Sequence, residues 1–323
     1  MPEIDRKEFA ILRVLGEHHL PLGAAAIANE LKSHGIDLTE RAVRYHLQDL
    51  DNAGLTVSTG RAGRRITDAG KAELANARVA DKVALIFARI DALAYQTRFS
   101  LTEGRGPIVI NLSLFHQSEF DQAMKVMRPV FLSRFATSDL IATFSPGQRV
   151  ADMVVPRGMI GLGTVCSVTV SGILLRHGIP VQSEFGGLVE VIGHEPTRFT
   201  DVVRYGGTSI DPVEIFIKSH ATSTTAAVTT GRGKIGAGAR TCPAIAREEV
   251  MGLIDDMSAW RIRGVLAIGM ESQPLMEMEV DVGRIAFAVC AGINPVAAAE
   301  EAGFSTTSQA LAAVFNYEDL DVI

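Results

Sequence analysis

The sequence predicts an N-terminal winged helix-turn-helix domain followed by an α/β domain made of two related halves. Within the first 70 residues, a helix with one apolar and one cationic face precedes a short hairpin. A long helical segment comes next. From about residue 99 onward, short motifs recur in the same order in the second part of the chain. Repetition at a long interval is typical of a duplicated structural unit.

Residues 39–55 carry the pattern of a recognition helix. Val43, Leu47 and Leu50 recur at helical spacing and form one apolar stripe. Thr39 is suited to cap the start of this helix. Four further side chains lie off the stripe: Arg41, Arg44, Tyr45 and Gln48. Long donors of this kind contact phosphates and base edges, so these four residues are predicted to bind DNA.

The stretch LTVSTGRAGRRIT, which follows the helix, predicts a hairpin wing. Its tip is expected to carry three arginines that add phosphate contacts: Arg61, Arg64 and Arg65. Residues 1–70 are not basic overall, because acidic residues on other faces balance the arginines. The alternative interpretation is a winged helix that serves only for protein contacts.

Composition indicates an ordinary globular protein, with 323 residues, 47% apolar residues, 21% charged residues and a net charge of −6. Any binding of nucleic acid must therefore depend on a local patch. Three cysteines without CxxC spacing predict reduced thiols and a cytoplasmic location. The sequence shows neither a membrane span nor a signal peptide, so no membrane partner is expected.

Three domain segments are predicted: a winged helix at 1–70, a linker helix at 71–98, and a ligand-binding domain at 99–323. The linker helix is suited to join the first domain to the last. It is equally suited to pair with a copy of itself in a homodimer.

The internal repeat rests on three matches in the same order. GRGPI at 104 matches GRGKI at 231, and GTVCSVTVSGI at 163 matches GRIAFAVCAGI at 283. A weaker match joins RFTDV at 198 to NYEDL at 316. These matches predict halves at about 99–230 and 231–323, with Gly163 and Gly283 opening equivalent strands.

Two helix starts in this region are candidates for holding an anion. Asp211 and Asn294 are predicted N-caps, each followed by a proline at the first helical position. Free backbone N–H groups and the helix dipole favour a negative charge at such starts. Most capped helices nevertheless bind nothing.

Motifs of catalysis are missing from the sequence. The glycine-rich stretches are neither P-loops nor dinucleotide fingerprints, and there is no GxSxG elbow. The histidines have no metal-ligand spacing, so we predict no metal, no cofactor and no catalytic residue. Cys166 lies in an apolar run and is predicted to line a pocket or the core.

Small and hydroxyl residues cluster instead around a possible ligand site. Arg240 interrupts the small, apolar run GAGARTCP, so it must find a protein carboxylate or an anionic ligand. This pattern favours binding over turnover. The remaining alternative is an enzyme with a duplicated α/β domain that acts on a small anionic substrate.

The motifs GTVCSVTVSGILLRHGIPV, FGGLVEV, GGTSIDPVEIFIKS, TGRGKIGA and AGINPVAAAEEAG resemble the archaeal nitrogen-regulation repressor family, NrpR. The resemblance covers nearly the whole chain, and the head resembles the winged helix of ribonuclease R proteins. It implies a non-enzymatic transcriptional repressor that binds inverted-repeat operator DNA as a homodimer or higher oligomer.

The resemblance further implies that 2-oxoglutarate is the effector that lowers DNA affinity. Candidate effector-binding residues are those within the matching motifs: Cys166, Ser167, Gly186, Gly187, Thr208, Ser209 and Asn294. Arg240 joins them because of its unusual position. In this chain Ala239 precedes Arg240, where members of the family often carry an aromatic residue.

Overall fold

The computed structural model describes residues 6–18, 20–33, 36, 38–151 and 153–323, with side chains described for these residues except 6, 33, 61 and 75–85. The chain divides into two compact units, residues 1–82 and 83–323. A winged-helix unit followed by an α/β unit is the predicted fold class, which is thereby confirmed.

The first unit has the elements of a winged helix. Its described elements are α1 (Arg6–Glu17), α2 (Ala24–Ser33), α3 (Glu40–Asn52), β1 (Thr56–Ser58) and β2 (Arg64–Ile66). Its core contains the predicted stripe of α3 and apolar residues of α1 and α2, namely Ile11, Leu15, Ile27, Leu31, Val43, Leu47 and Leu50. Thr39 caps α3 as predicted, because its hydroxyl accepts a hydrogen bond from the Ala42 N–H at 3.2 Å.

Helix α4 (Asp68–Gln96) begins in the first unit and ends in the second. The next elements of the second unit are β3 (Pro107–His116), α5 (Phe120–Phe131), β4 (Leu140–Phe144), β5 (Arg149–Val150), β6 (Met153–Val154), β7 (Met159–Val165), α6 (Val168–Arg176), β8 (Gln182–Ile192) and β9 (Glu195–Arg204). They are followed by α7 (Pro212–Lys218), α8 (Thr224–Thr230), β10 (Arg232–Pro243), α9 (Arg247–Ala259), β11 (Val265–Ile268), β12 (Arg284–Cys290), α10 (Asn294–Glu301), β13 (Thr307–Asn316) and β14 (Asp321–Val322).

Two five-stranded antiparallel sheets form the framework of this unit. Their strand orders are β13-β3-β7-β4-β14 and β11-β12-β10-β8-β9. Apart from the separate hairpin β5–β6, the chain runs twice through the order β-α-β-β-α-β, first from β3 to β8 and then from β10 to β13. In both sheets the first strand of a repeat pairs with its third, and the third pairs with its second.

The fourth strand of each repeat lies in the sheet of the other repeat. β13 pairs with β3, and β8 pairs with β10. The helix before each of these fourth strands also packs on the other repeat. α10 packs with α5 in one core cluster, and α6 packs with α9 in another. The sequence halves 99–230 and 231–323 are therefore not separate sheets, and each sheet contains strands of both.

The two crossing segments, at the β7–α6 and β12–α10 turns, make matching contacts. The Cys166 N–H donates to the Val109 carbonyl at 2.8 Å, and the Ala291 N–H donates to the Gly236 carbonyl at 2.8 Å. The turns also touch, since a Cβ on Gly292 would lie 2.1 Å from the Val165 carbonyl oxygen. Only glycine permits this approach.

In the first turn of both α6 and α10, a polar side chain forms two hydrogen bonds with the backbone of the first strand of a repeat. The Thr169 hydroxyl accepts from the Val109 N–H and donates to the Val109 carbonyl, both at 3.1 Å. Asn294 makes the same pair of bonds to Gly236, both at 2.9 Å. The predicted N-cap role of Asn294 is therefore wrong, because Asn294 is the first residue of α10 and its amide is turned to β10.

These contacts correct the predicted register of the repeat. The matching pairs Cys166–Ala291 and Thr169–Asn294 are separated by 125 residues, whereas the motif match implied 120. Gly163 consequently lies inside β7, while Gly283 precedes β12. The RFTDV match fails, because residues 198–202 lie in β9 and residues 316–320 end β13 and form a 3-10 turn.

Candidate functional site

The recognition helix α3 exposes the four side chains that the sequence singled out. Arg41, Arg44, Tyr45 and Gln48 are all exposed, on the faces of α3 that do not enter the core. Tyr45 retains 67% of its accessible surface, which is high for an aromatic side chain. Arg44 forms an ion pair with Glu40 one turn earlier in the helix. An exposed pair of this kind contributes little stability, so a phosphate can replace the carboxylate at low cost.

The wing differs from the prediction at Arg64. The tip of the hairpin is the 3-10 turn Gly60–Ala62, and Arg64 is the first residue of β2. Its Nε donates to Oδ2 of Asp51, on α3, at 2.8 Å. Arg64 therefore braces the wing against the recognition helix rather than pointing from the tip.

The predictions for the other two wing arginines have different outcomes. Arg65 is exposed on β2 and remains available to a phosphate. The side chain of Arg61 lies outside the described residues. The predicted DNA surface is therefore α3 together with Arg65. Arg64 stabilises this surface through its ion pair with Asp51.

A contact between α1 and α3 was not visible in the sequence spacing. Nδ1 of His46 lies 3.6 Å from a carboxylate oxygen of Glu8, and Asp49 stands close to both. His46 and Asp49 are three residues apart on one helix, but Glu8 comes from another, so no motif reveals the group. The contact joins the recognition helix to α1.

The second unit contains a small pocket where the two crossing turns meet. Its walls come from α4, β3, the β7–α6 turn, the start of α7, β10, the β12–α10 turn and β13. The enclosed volume is about 20 Å³, which is room for about one water molecule. The starts of α6 and α10 both border the pocket, so positive helix ends converge there.

Arg240 lies next to this pocket, outside its lining, and has an incomplete set of hydrogen-bond partners. Only 2% of its surface is exposed. Its Nε donates to Ser171 and its Nη2 donates to Ser167, both at 2.9 Å. Its Nη1 is buried and, within the described residues, has no hydrogen-bond acceptor. Burying a cation is costly without a compensating anion, and two hydroxyls supply none.

The Nη1 atom is buried next to the pocket wall at Gly238. It lies 3.5 Å from the position that a Cβ would take on Gly238, and Gly238 lines the pocket. A larger residue at 238 would crowd the guanidinium. The sequence predicted that Arg240 needs a carboxylate or an anionic ligand, but its hydrogen-bond partners are two serine hydroxyls, and Nη1 has none within the described residues.

Two acidic groups lie near the guanidinium. Asp211 caps α7 as predicted, since its Oδ1 accepts from the Val213 and Glu214 N–H groups. Burial raises the pKa of the Asp211 carboxyl, although these two hydrogen bonds and Arg240 oppose the increase. Burial also raises the pKa of the Tyr205 hydroxyl, so this group stays protonated as a donor.

Cys166 lines the pocket but lacks the properties of a nucleophile. Burial raises the pKa of its thiol to about 11, although a hydrogen bond with the Val168 backbone and the charge of Arg240 oppose the increase. The thiol is therefore protonated at neutral pH, and the thiolate is the reactive form. The predicted pocket-lining role agrees with this environment.

The structure separates the predicted effector residues into two groups. Cys166 and Ser167 line the pocket, and Arg240 bonds to Ser167. Gly186 lies next to the pocket wall, because a Cβ on Gly186 would lie 3.1 Å from the hydroxyl of Tyr205, which lines the pocket. These residues share one site.

Gly186 and Arg240 adjoin the pocket without lining it, and the other four predicted residues neither line the pocket nor bond to Arg240. Gly187 faces β9, where a Cβ would lie 2.2 Å from the Asp201 carbonyl. The Thr208 hydroxyl bonds to the backbone of Ile210. Ser209 is half-buried outside the pocket lining. The amide of Asn294 is fully occupied by backbone groups.

Sequence reasoning missed Tyr205, Asn111 and Leu311 in the pocket wall. Tyr205 is one of only 4 tyrosines and directly precedes the GG of the GGTSIDP motif, which was a usable signal. Asn111 and Leu311 lie on neighbouring strands from opposite ends of the unit. Nothing in the local sequence connects them.

Glu214, one turn into α7, is expected to make stability depend on pH. Burial raises the pKa of its carboxyl to about 7, with Asp211 contributing, while the Ala310 N–H opposes the increase. The folded protein therefore keeps a proton that the unfolded chain loses near pH 4.5. Stability from this group is complete below pH 4.5 and is lost as pH rises to about 7, by about 3 kcal/mol.

Urea unfolding of Glu214→Gln at pH 5 and pH 8 checks this prediction. Glutamine keeps the acceptor for Ala310 but does not titrate, so the difference between the two pH values should shrink. Glu249→Gln, on the exposed face of α9, is the matched control. An unchanged difference in the Glu214 variant contradicts the prediction.

Comparison with known proteins identifies two family models along the chain. The model described as NrpR regulatory domains NRD1 and 2 matches residues 83–322. The model described as the ribonuclease R winged-helix domain matches residues 9–74. Within the described part of the chain, no helix has the length and apolarity to cross a membrane.

Three relatives extend this result. The chain is 34% identical to Global nitrogen regulator NrpRI of Methanosarcina mazei, over 100% of this chain and 99% of that protein. It is 29% identical to Global nitrogen regulator NrpR of Methanococcus maripaludis and 28% identical to that of Methanocaldococcus jannaschii. It spans 51% and 55% of the lengths of those two proteins.

A solved structure shares the fold. The crystal structure of a nitrogen repressor-like protein from Methanococcus jannaschii matches with a TM-score of 0.62 and 22% identity. The match covers 73% of this chain and 97% of the other.

Proposed function

Because the chain belongs to the NrpR family of nitrogen regulators, we propose that it represses nitrogen-related genes and that a small dicarboxylate releases it from operator DNA. It is a winged-helix transcriptional regulator rather than an enzyme, in agreement with the sequence prediction. The proposed effector is 2-oxoglutarate, bound at the pocket above Arg240.

The observation that carries this proposal is the unfilled Nη1 of Arg240. A buried guanidinium whose Nη1 has no hydrogen-bond acceptor is destabilising by itself, so an anion that accepts from Nη1 gains a strong charge-assisted bond. Helix starts and the protonated hydroxyls of Ser167 and Tyr205 supply further donors around the same point. A carboxylate matches this set of donors.

The size of the pocket supports a mechanism for release. A volume of about 20 Å³ cannot hold a five-carbon dicarboxylate, because ligand pockets measure roughly 300–1,000 Å³. The effector must therefore bind an arrangement in which the walls have separated, and it shifts the population toward that arrangement. Ile90 of α4 is part of the wall, and the chain continues from α4 into the winged-helix unit.

The proposal includes a cytoplasmic homodimer or higher homo-oligomer on an inverted-repeat operator. A two-fold dimer should present its recognition helices about 34 Å apart, or a multiple of that distance. The DNA-facing residues would be Arg41, Arg44, Tyr45, Gln48 and Arg65, with Arg64 holding the wing against α3.

Calorimetry with and without operator DNA tests the proposal. The operator is first obtained by selecting DNA sequences with the full chain, in the presence and absence of 2-oxoglutarate. We expect 2-oxoglutarate to bind more weakly to the DNA complex, by about 1–3 kcal/mol or roughly 5- to 150-fold. Linkage requires operator affinity to fall by the same factor.

Tricarballylate and methyl esters of 2-oxoglutarate serve as comparison ligands in the same titrations. The esters should not bind, because they cannot complete the Arg240 guanidinium. Equal 2-oxoglutarate affinities for the free protein and the DNA complex contradict the proposal.

A further inference from the structure

Strand β13 contains an irregularity at the wall of the pocket. Its register with β3 shifts between Gln309 and Ala313, so that the three residues 310–312 stand opposite the single residue Asn111. Leu311 has a φ of 54°, a left-handed conformation that is unfavourable for a residue with a branched side chain. Such strain persists only where the surroundings hold the backbone.

Three side chains from three different elements hold this bulge. Asn111 of β3 accepts a hydrogen bond from the Leu311 N–H at 3.2 Å. Glu214 of α7 accepts from the Ala310 N–H. Arg89 of α4 donates from Nε to the Leu311 carbonyl at 2.8 Å and from Nη2 to the Ala312 carbonyl at 3.1 Å.

The bulge is a specific feature of β13 and not a requirement of the fold. The corresponding strand of the other repeat is β8, which pairs with β10 in the same way. Its irregularity adds one extra residue, Glu184, whereas the irregularity of β13 adds two. The fold therefore forms without the longer bulge.

The bulge and α4 share the wall of the anion pocket. Ala310 and Leu311 line the pocket, and so does Ile90, the residue after Arg89. Leu311 is 2% exposed, so a ligand that needs space beside it must displace it. Any movement of the Leu311 and Ala312 carbonyls acts directly on the Arg89 guanidinium.

We propose that Arg89 and the bulge at 310–312 couple the pocket to α4, so that separation of the pocket walls shifts this helix. This inference rests on the proposed function, because it assigns the residue that transmits the effector signal. Arg89 is a positioning residue and does not contact the anion. Its two hydrogen bonds to successive carbonyls connect α4 to the bulge more rigidly than a single hydrogen bond would.

The test compares Arg89→Gln, Arg89→Lys and the wild-type chain in two measurements. Calorimetry gives the affinity for 2-oxoglutarate, and fluorescence anisotropy gives the loss of operator affinity that 2-oxoglutarate causes. In Arg89→Gln we expect ligand affinity within about 3-fold of wild type, while the ligand-induced loss of operator affinity falls from roughly 5- to 150-fold to under about 2-fold. Arg89→Lys, which keeps one donor group, should give an intermediate loss.

Arg98→Ala is the matched control, since Arg98 is exposed beyond the end of α4 and contacts the Tyr95 ring. It should keep the full ligand-induced loss. Full coupling in Arg89→Gln, or an equal loss of coupling in Arg98→Ala, overturns the inference. If the wild-type chain binds no 2-oxoglutarate, the proposed function fails and takes the inference with it.

Hydrogen exchange on the wild-type chain gives a second test that does not depend on folding of the variants. We expect 2-oxoglutarate to change the exchange rates of amides at 310–312 and at 86–96 together. A change at only one of these segments shows that the bulge and the helix move independently, and the inference is then wrong.

Discussion

Replacing Arg41 and Arg44 together by alanine is expected to remove most of the affinity for operator DNA. Both side chains are exposed on α3, away from its buried stripe, so the change should leave the fold intact. Each arginine that reaches a base edge contributes about 1–3 kcal/mol, and each that reaches a phosphate lowers the salt slope by about 1 when removed. The double variant should therefore show both a weaker and a less salt-dependent interaction.

Anisotropy titrations of labelled operator across a range of KCl concentrations measure both quantities. Lys71→Ala is the control for simple loss of charge, because Lys71 is paired with Asp68 at the start of α4. An unchanged salt slope in the double variant would show that α3 does not face the DNA. The surface would then have to be assigned to protein contacts.

Arg64→Ala provides a contrast that depends on the structure. Its ion pair with Asp51 links β2 to α3, with 27% and 24% of the two side chains exposed. We expect this variant to lower the thermal stability of the winged helix, and to weaken DNA binding mainly through that loss. The sequence alone predicted a direct phosphate contact for the same residue.

The winged helix was predictable because its information is local. The stripe of Val43, Leu47 and Leu50, the Thr39 cap and the exposed arginines all follow from helical periodicity and capping, and the structure places them as expected. Arg64 was misplaced because hairpin length is set by the turn at Gly60–Ala62. One residue of difference in that turn decides which arginine faces inward.

The α/β unit was predictable in class but not in connectivity. Motif matches detected the repeat, yet the exchange of β8 and β13 between sheets depends on pairings between distant segments. The GRGPI match agrees with the equivalence of Val109 and Gly236, but the second match misjudged the register, because glycine matched glycine at 163 and 283 while the bonding positions were Cys166 and Ala291. Equivalent positions in the two repeats are therefore defined by their hydrogen bonds and not by residue identity.

The same limit applied to the pocket. Arg240 stood out in the sequence because a charge inside a small, apolar strand requires a partner. Asn294 looked equally suited to a ligand, but its amide is consumed by Gly236 and Phe135. Whether a polar group is satisfied is a property of the folded chain, so only the structure distinguishes these two residues.

Arg240→Met is expected to abolish the response to 2-oxoglutarate while preserving operator binding. Without the guanidinium, a carboxylate entering the pocket would be buried with no cation, at a cost of about 3–5 kcal/mol. Methionine is of similar length and fills the space without a charge, so thermal stability should be retained or raised. A role limited to packing predicts instead that the response to 2-oxoglutarate stays near that of the wild type.

Asp211→Asn should act in the reverse direction and completes the argument. Asparagine keeps the cap of α7, but it removes a negative charge from the neighbourhood of Arg240. The dicarboxylate should then bind more tightly than to the wild-type chain, because its carboxylates no longer meet a neighbouring acidic group. Calorimetry of the Arg240→Met and Asp211→Asn variants measures the two opposite changes in affinity. If both substitutions change affinity in the same direction, charge at this pocket does not select the ligand, and the effector site must lie elsewhere.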